Sequence, residues 1–277
     1  MADIFLPHGL KMSFAQPRVM GIVNVTPDSF SDGGLFHDAD AALAHGLLLA
    51  SEGADILDIG GESTRPGHQP VSAEEEASRV LPVLRALKAR TQVPLSIDTM
   101  KPTVAEAAIA AGASILNDVW GFRRDRDMAR VAADTGVMVV LMHNRELDEP
   151  DIDIVADVLD GLRRSIDIAL AAGLADTKIV LDPGCGFGKT HEQNLVLIRH
   201  MPQLRAIGFP ILLGVSRKRF VGRVTGRDKP VDRLAGTLAA GLLGVEYGAN
   251  ILRVHDVAPH VDALKMRAAI LGAGELA

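Results

Sequence analysis

The stretch V-M-G-I-V-N-V-T-P-D-S-F-S-D-G-G, residues 19–34, begins as an apolar run and continues as a polar, glycine-rich loop. Its apolar part, Val19–Val23, is rich in β-branched side chains, which is typical of a strand that is buried on both faces. The run ends at Asn24. Runs of this kind recur along the chain at intervals of roughly 20 to 40 residues, which is the spacing of βα units. The pattern therefore predicts a parallel sheet in which each strand is followed by a helix.

Eight strands are predicted from these runs. They are Val19–Val23, Ile56–Ile59, Leu95–Ile97, Ser114–Leu116, Val137–Met142, Lys178–Leu181, Ile211–Val215 and Ile251–Val254. Helical patterns lie between them. These patterns cover approximately Asp38–Glu52, a segment that opens at Ser72, Pro102–Gly112, Asp125–Thr135, Ile152–Ala172, Thr190–Ala206, Val231–Tyr247 and Pro259–Leu271. Because a doubly wound sheet usually has about five to seven strands, eight alternations favour an α/β fold of the closed (β/α)8, or TIM barrel, type. No linker or low-complexity tract divides residues 1–277, so a single domain is expected, with residues 1–17 as an N-terminal lead-in.

Composition narrows the classes of function. Hydrophobic residues make up 48% and charged residues 23% of the chain, which is enough for a sizeable core. The net charge of −6 disfavours nucleic acid as a partner, although a few cations in one pocket can still bind a small anion. Cys185 is the only cysteine, so no internal disulfide can form and a cytoplasmic setting is expected. Neither Cys185 nor Ser216 has an obvious base beside it, so nucleophilic catalysis is not expected. We expect no signal peptide in residues 1–18 and no membrane span.

A polar or charged residue lies at or just after the end of each predicted strand. Asp and Asn commonly begin turns for local reasons, but turn chemistry alone does not explain a polar group at all eight ends. In a barrel the carboxyl ends of the strands meet at one mouth, where active sites are found. We therefore predict an active site there. Its candidate residues are Asn24, Asp58, Asp98, Asn117, Asp118, His143, Asn144, Asp182, Ser216, Arg217, Lys218, Arg219, Arg253 and His255.

Two loops rich in Gly, Ser and Pro follow the first two predicted strands. They are Val25–Phe36 and Gly60–Pro70, and one interpretation is a pair of solvated turns. However, they carry Phe30, Asp32, Thr64 and Arg65. An aromatic ring, a carboxylate and a guanidinium on loops above a barrel mouth favour a mobile lid.

The run Asp182–Thr190, D-P-G-C-G-F-G-K-T, resembles a phosphate-binding loop only in part. Such a loop requires Gly five residues before the Gly-Lys pair, and this chain has Pro183 there. A tight turn that lets a flat ligand approach the backbone fits better, with Asp182 pointing into the barrel. The interpretation that we favour for Lys189 is a solvated loop cation.

Arg253 and His255 are separated by one residue, so both side chains are expected to point into the mouth. Beside the N-terminus of the last helix they would form an anion site, and barrels often bind phosphate after the seventh and eighth strands. A helix cap or a core position is the alternative for His255. Lys218 is also expected to point inward, whereas Arg217 and Arg219 can be interpreted as surface charge.

Seven stretches taken together resemble the dihydropteroate synthase family. They are V-M-G-I-V-N-V-T-P-D-S-F-S-D-G-G (19–34), D-I-G-G-E-S-T-R-P-G (58–67), S-I-D-T (96–99), N-D-V-W-G-F (117–122), L-D-P-G-C-G-F-G-K-T (181–190), G-V-S-R-K (214–218) and R-V-H-D-V (253–257). The set is specific because it follows the family order over nearly the whole chain. The resemblance implies a transferase of folate biosynthesis that condenses 6-hydroxymethyl-7,8-dihydropterin diphosphate with p-aminobenzoate, giving 7,8-dihydropteroate and diphosphate. It also implies Mg²⁺ as cofactor, a homodimer and a site of the kind that sulfonamides target.

The resemblance further implies a role for each matching residue. The pterin would be bound by Asp58, Asp98, Asn117, Asp182 and Lys218. The diphosphate would be bound by Asn24, Thr64, Arg253 and His255, and Asn24 would also bind Mg²⁺. The p-aminobenzoate pocket would be formed by Phe30, Thr64, Arg65, Pro66, Phe187 and Arg219. Asp32, which would face the reacting methylene, is expected to be catalytic together with Asp98 and Lys218.

Two departures from the family pattern affect local contacts. After the fifth strand the family often reads M-H-M-Q-G-T-P, whereas this chain has His143, Asn144, Arg145 and Glu146. After Lys218 many members have Ser, whereas this chain has Arg219, so contacts with the p-aminobenzoate carboxylate are expected to differ.

Two other functions are consistent with part of the pattern. A pterin barrel that transfers a methyl group to a corrinoid would share the carboxylates, but it would have no use for Arg253 and His255 or for Thr64 and Arg65. A catalytically silent relative would have lost residues that the chemistry needs. The chain retains them: Asn24, Asp98, Lys218 and Arg253. The synthase is therefore favoured.

Overall fold

The computed structural model describes residues 3–25, 34–62 and 70–273 of the chain. Its strands are β1 (Ile4–Phe5), β2 (Lys11–Met12), β3 (Arg18–Asn24), β4 (Ile56–Gly60), β5 (Leu95–Asp98), β6 (Ile115–Asp118), β7 (Met138–Met142), β8 (Ile179–Asp182), β9 (Leu212–Leu213) and β10 (Ile251–Val254). Its helices are α1 (Gly34–Ser51), α2 (Ala73–Lys88), α3 (Pro102–Ala110), α4 (Asp127–Thr135), α5 (Ile154–Ala171), α6 (His191–Arg199), α7 (Met201–Arg205), α8 (Arg219–Thr225), α9 (Leu234–Glu246) and α10 (Val257–Gly272).

The strands β3 to β10 form a parallel barrel, as the sequence predicted. Their order is β8-β7-β6-β5-β4-β3-β10-β9, and every neighbouring pair is parallel. A parallel bridge between Leu181 in β8 and Ile211, just before β9, closes the ring. All eight strands run in the same direction, so their carboxyl ends lie at one rim.

The interior of the barrel changes from apolar to polar along four of its strands, β4, β6, β8 and β10. Near the amino ends of their strands, the buried side chains of one core cluster include those of Ile56, Ile115, Val180 and Ile251. Because side chains alternate between the two faces of a strand, the residue two positions later faces the same interior. Those residues are Asp58, Asn117, Asp182 and Arg253. The same period that builds the inner core therefore places the polar groups at the mouth.

The first residues of the chain close the opposite end of the barrel, which the sequence analysis did not predict. Strands β1 and β2 form an antiparallel hairpin. The apolar side chains of this segment, Ile4, Leu6, Met12 and Phe14, belong to the same buried cluster as the inner barrel residues. A second and larger cluster fills the space between the outer face of the strands and the surrounding helices.

Local sequence signals explain where several helices begin and end. The Ser72 side chain accepts a hydrogen bond from the backbone N–H of Glu75 and caps α2. Thr190 and Gln193 form a capping box at α6. Gly136 ends α4 with φ of 64°, a left-handed conformation that glycine adopts without steric cost.

Some elements differ from the prediction. The helix expected over Thr190–Ala206 is interrupted between α6 and α7, because Pro202 has no N–H to continue the hydrogen-bond ladder. The seventh barrel strand is shorter than Ile211–Val215, and α8, which follows it, was not predicted. None of the described helices is long and apolar enough to cross a membrane.

Candidate active site

The carboxyl ends of the barrel strands surround one cavity of about 470 Å³, measured out to its open mouth. Eight of the predicted site residues lie in its wall: Asp98, Asn117, Asp182, Phe187, Ser216, Lys218, Arg253 and His255. They come from five different strand ends and the loops that follow them. The barrel therefore brings together residues that are as far as 157 positions apart in sequence (Asp98 and His255).

A hydrogen-bonded set of two carboxylates, an amide and a guanidinium crosses the floor of this cavity. Arg253 donates from Nε to Asp58 Oδ2 and from Nη2 to Asp98 Oδ2, both at 2.6 Å. Asn117 donates from Nδ2 to Asp58 Oδ2 at 3.1 Å. Asp58 is fully buried, so the charge of Arg253 compensates a carboxylate that water does not reach. Asp58 thus lies below the cavity wall and supports Arg253 and Asn117.

The pKa values of Asp98 and Arg253 are shifted by their burial and by their neighbours. Burial raises the pKa of Asp98 to about 7, with Asp58 adding to the shift and Arg253 opposing it. Burial alone would lower the pKa of Arg253. The negative charges of Asp58 and Asp98 outweigh that effect and raise the pKa above its usual range. Asp98 therefore titrates near neutral pH, and the guanidinium of Arg253 remains a cation.

Asp182 and Lys218 form the second charged part of the cavity. Asp182 is buried, and its Oδ1 accepts a hydrogen bond of 2.7 Å from the backbone N–H of Gly184. Burial raises the pKa of Asp182 to about 6 and lowers the pKa of Lys218 to about 8. The Lys218 ammonium lies 3.9 Å from the centroid of the Phe187 ring, which is a cation–π contact. An acceptor, a cationic donor and a flat apolar surface thus face the same space.

The loops after β9 and β10 are joined at the rim. Ser216 Oγ lies 2.9 Å from His255 Nδ1 and also accepts the backbone N–H of His255 at 3.1 Å. No base stands beside Ser216 in the sequence, because the imidazole comes from another loop, 39 residues away. Arg217, which was interpreted as surface charge, is half-buried and donates from Nε to Asp256 Oδ2 at 3.0 Å. Arg217 has φ of 57°, a left-handed conformation that is uncommon for residues other than glycine, and the next residue, Lys218, lines the cavity.

The interpretation of Lys189 as a solvated loop cation is wrong. Its side chain is buried, and Nζ donates to the carbonyl oxygens of Phe187 at 2.9 Å and His143 at 3.2 Å. The turn between Asp182 and Lys189 is tight, as predicted, with positive φ at each glycine. At Gly184 a Cβ atom would lie 1.8 Å from the His143 carbonyl oxygen, so only glycine fits there. No sequence signal distinguished this lysine from an exposed one.

The segment of residues 143–146, which departs from the family pattern, packs against the turn of residues 183–188. Arg145 donates to Asp157 at 2.8 Å, and His143 Nε2 lies 3.2 Å from the same carboxylate. Burial, followed by the nearby Lys189 and arginine charges, lowers the pKa of His143 to about 2, so this imidazole is neutral. A Cβ atom at Gly188 would lie 2.4 Å from the Arg145 carbonyl oxygen. Residues 143–146 therefore contact the turn of residues 183–188 and do not line the cavity.

Other predicted residues do not form part of the described cavity wall. Asn24 ends β3 opposite Gly60 and is half-buried at the rim. Arg219 is exposed at the first residue of α8. Asp118 accepts the backbone N–H groups of Trp120 and Phe122, so it shapes a turn, as Asp often does after a strand. Five predicted residues lie outside the described part of the chain: Phe30, Asp32, Thr64, Arg65 and Pro66.

Cys185 is buried like a small hydrophobic residue. It belongs to the larger core cluster and also borders the cavity, and burial raises the pKa of its thiol to about 12. Within residues 3–25, 34–62 and 70–273, no group of three or more His, Cys, Asp and Glu side chains is arranged to hold a metal ion.

Known proteins resemble this chain in sequence and in structure. The family described as pterin binding enzyme matches residues 20–255. The dihydropteroate synthase of Clostridium beijerinckii is 50% identical over 250 residues, which cover 90% of this chain and 92% of that protein. The structure of Xanthomonas albilineans dihydropteroate synthase with 4-aminobenzoic acid has a TM-score of 0.92 and 51% identity, covering 95% of this chain and 96% of that one. The same organism's enzyme in complex with 7,8-dihydropteroate has a TM-score of 0.89 and 49% identity, covering 95% and 97%.

Proposed function

This chain belongs to the pterin binding enzymes, and within them to the dihydropteroate synthases, and we propose how its barrel mouth carries out their reaction. It is a transferase that condenses 6-hydroxymethyl-7,8-dihydropterin diphosphate with p-aminobenzoate. The observation that carries the proposed mechanism is the shared cavity, in which the buried acceptor Asp182 lies beside the cations Lys218 and Arg253. One substrate that has a hydrogen-bonding edge and an anionic tail requires both kinds of group in one place.

The proposed pterin site uses the acceptors and donors on the cavity wall. The 2-amino-4-oxo edge of a pterin presents adjacent N–H donors, which suit the two oxygens of a carboxylate such as Asp182. The amide of Asn117 can both donate and accept, and Lys218 can donate to a ring carbonyl or nitrogen. Asp98 is the remaining carboxylate in the wall. In this proposal the two carboxylates and the amide orient the ring so that its methylene group faces the mouth.

Entry of the pterin is proposed to release Arg253. In the described structure the guanidinium donates to Asp58 and Asp98. Pterin N–H groups that reach Asp98 would compete with Arg253 for the Oδ2 atom of Asp98. The guanidinium would then leave Asp98 and be available to the diphosphate. The diphosphate carries more negative charge than the single carboxylate of Asp98.

The proposed diphosphate site lies at the end of β10. Diphosphate is a good leaving group only when its charge is neutralised, which Arg253, His255 and the N-terminus of α10 can do. Mg²⁺ is proposed to bind here through the amide oxygen of Asn24. Magnesium usually keeps several of its waters and is bound by one or two protein oxygens together with substrate phosphates. In the described residues no cluster of His, Cys, Asp and Glu could hold a metal ion. Both points fit an ion that arrives with the substrate. When bound, Mg²⁺ would supply additional charge neutralisation.

The bond changes are proposed to be dissociative. The C–O bond between the pterin methylene and the diphosphate breaks first, and its electron pair leaves with the diphosphate. The pterin ring stabilises the resulting cation, and the carboxylate of Asp32 is proposed to lie near it. The amine lone pair of p-aminobenzoate then forms the new C–N bond, and the ammonium proton is lost to solvent. No covalent enzyme intermediate is needed.

The second substrate is proposed to bind against Phe187, on the outer side of the pterin. The other proposed residues of this pocket are Phe30, Thr64, Arg65, Pro66 and Arg219, and Thr64 is also proposed to contact the diphosphate. Sulfonamides share the arylamine and the acidic group of p-aminobenzoate, so we propose that they compete for this pocket.

A homodimer in the cytoplasm is also proposed. Helices α9 and α10 carry large apolar side chains that are more than 45% exposed in the single chain: Leu243, Met266, Ile270 and Leu271. A second copy of the chain would bury them, because exposed apolar patches commonly mark interfaces. Light scattering that gives the mass of one chain at micromolar concentration would exclude the dimer.

The activity is tested by incubating the protein with the dihydropterin diphosphate, p-aminobenzoate and Mg²⁺. Dihydropteroate and diphosphate should form in equal amounts, and omission of any one component should prevent it. A pterin barrel that transfers methyl groups would bind a pterin without forming either product.

A further inference from the structure

Lys189 is a buried cation that the reaction described above does not use. Its ammonium group donates to two backbone carbonyl oxygens, those of Phe187 and His143. Among the described residues, no carboxylate forms an ion pair with it. Burial lowers its pKa to about 8, so most of the group is still charged at neutral pH. A buried charge that is held only by neutral acceptors is costly, which calls for a specific role.

The position of this ammonium ties the turn of residues 183–188 to β7. The two accepting carbonyls lie on different segments, since His143 follows β7 and Phe187 lies in the turn itself. The Phe187 ring in turn contacts the Lys218 ammonium in the cavity wall. Loss of the two hydrogen bonds would leave two carbonyl oxygens unpaired and let the turn move.

The same ammonium also lies close to Asp182. The backbone N–H of Gly184 donates to Asp182 Oδ1. A Cβ atom placed on Gly184 would lie 3.2 Å from Lys189 Nζ, so this glycine contacts both groups. The charges of Lys189, Lys218 and Arg253 and the N–H of Gly184 all favour the carboxylate form of Asp182 against burial. Of the three cations, only Lys189 lies outside the cavity wall.

We propose that Lys189 is a positioning residue of the pterin site, which fixes the turn of residues 183–188 through two carbonyl oxygens and keeps Asp182 ionised without touching the substrate. The inference rests on the proposed pterin site. It assigns to Lys189 a second role besides holding the turn, since a neutral donor could hold the two carbonyls but would not bring a positive charge close to the Asp182 carboxylate.

The test compares Lys189→Met with wild type by calorimetric titration of 6-hydroxymethylpterin between about pH 5 and about pH 7.5, the range in which a perturbed carboxyl titrates. Pterin binding requires the carboxylate form of Asp182, so affinity falls as the pH falls through the pKa of this group. Without Lys189 that pKa is higher, so affinity falls at a higher pH. We expect a loss of about fivefold near neutral pH from the altered turn, growing to tenfold or more near pH 5.5.

Lys178→Met is the matched control. Lys178 also donates to a backbone carbonyl, that of Phe5, but at the opposite end of the barrel. It should bind the pterin like wild type at every pH. The titratable and charged groups that line the same cavity as Asp182 are unchanged in all three proteins, so differences in the pH profile report Lys189. They are Asp98, Cys185, Lys218, Arg253 and His255.

Thermal unfolding establishes that each variant is folded. If Lys189→Met is not, Lys189→Gln replaces it, because glutamine keeps a donor for the carbonyls and loses only the charge. Wild-type affinity in the variant at every pH would overturn the proposal, and so would a loss by the same factor at every pH, since only the charge of Lys189 makes the loss depend on pH. Failure of the wild-type protein to bind 6-hydroxymethylpterin would instead contradict the pterin site itself.

Discussion

Arg253 links the two halves of the proposed substrate at the scale of a single residue. It neutralises Asp58 and Asp98 in the described structure and is proposed to bind the diphosphate during turnover. Arg253→Ala should therefore abolish most turnover and weaken diphosphate binding by about tenfold or more, since a charge-assisted hydrogen bond contributes about 1.5–3 kcal/mol. Binding of 6-hydroxymethylpterin should change little, because the variant has no guanidinium that the pterin must displace from Asp98. Calorimetry with each ligand decides this, and an equal loss for both would place Arg253 in the pterin site.

Asp98 should make the stability of the ligand-free protein depend on pH. Its folded-state pKa of about 7 is above the usual value of an unfolded chain, so the folded state binds the extra proton in this range. Stability should then rise as the pH falls from about 7.5 to about 5.5, by on the order of 1–2 kcal/mol. Asp98→Asn cannot titrate and should show a smaller rise. Urea unfolding at the two pH values measures the difference, and identical slopes for variant and wild type would refute it.

The hairpin of β1 and β2 is an element whose role is separable from the site. Phe14 is 8% exposed and belongs to the inner barrel cluster, at the end away from the cavity. Phe14→Ala should lower the free energy of unfolding by about 2–4 kcal/mol, while kcat/KM stays near that of wild type. Phe5→Ala is the control, because Phe5 is 68% exposed on the same hairpin and should cost little. A large loss of pterin affinity in folded Phe14→Ala would show that the two ends are coupled.

The loops Val25–Phe36 and Gly60–Pro70 lead to a prediction about the order of binding. Their residues 26–33 and 63–69 lie outside the described part of the chain, so the proposed lid stays a prediction. If diphosphate and Mg²⁺ help to position these loops, p-aminobenzoate should bind poorly to the free protein and well once diphosphate and Mg²⁺ are present. By linkage, p-aminobenzoate must then raise diphosphate affinity by the same factor. Calorimetric titration with and without diphosphate tests this, and equal affinities would indicate a preformed pocket.

Elements that depend on local periodicity were predictable, and contacts between distant loops were not. The inward positions of Asp182 and Arg253 follow from a period of two along a strand, so the sequence alone placed them at the mouth. The pairing of Ser216 with His255 and the burial of Lys189 depend on how loops fold over one another. No spacing in the sequence encodes such contacts, which is why both were missed. The hairpin was missed because its strands have only two residues each, too few to show a pattern.

For the whole molecule, the central claim is that one barrel mouth binds a pterin ring and a diphosphate side by side. Crystal structure determination of the protein with 6-hydroxymethylpterin, diphosphate and Mg²⁺ tests this most directly. The pterin edge should lie within hydrogen-bond distance of Asp182 and Asn117, and the diphosphate should contact His255 and an Arg253 that has left Asp98. A pterin bound away from Asp182, or an Arg253 that still pairs with both carboxylates while the ring and the diphosphate occupy the mouth, would contradict the account.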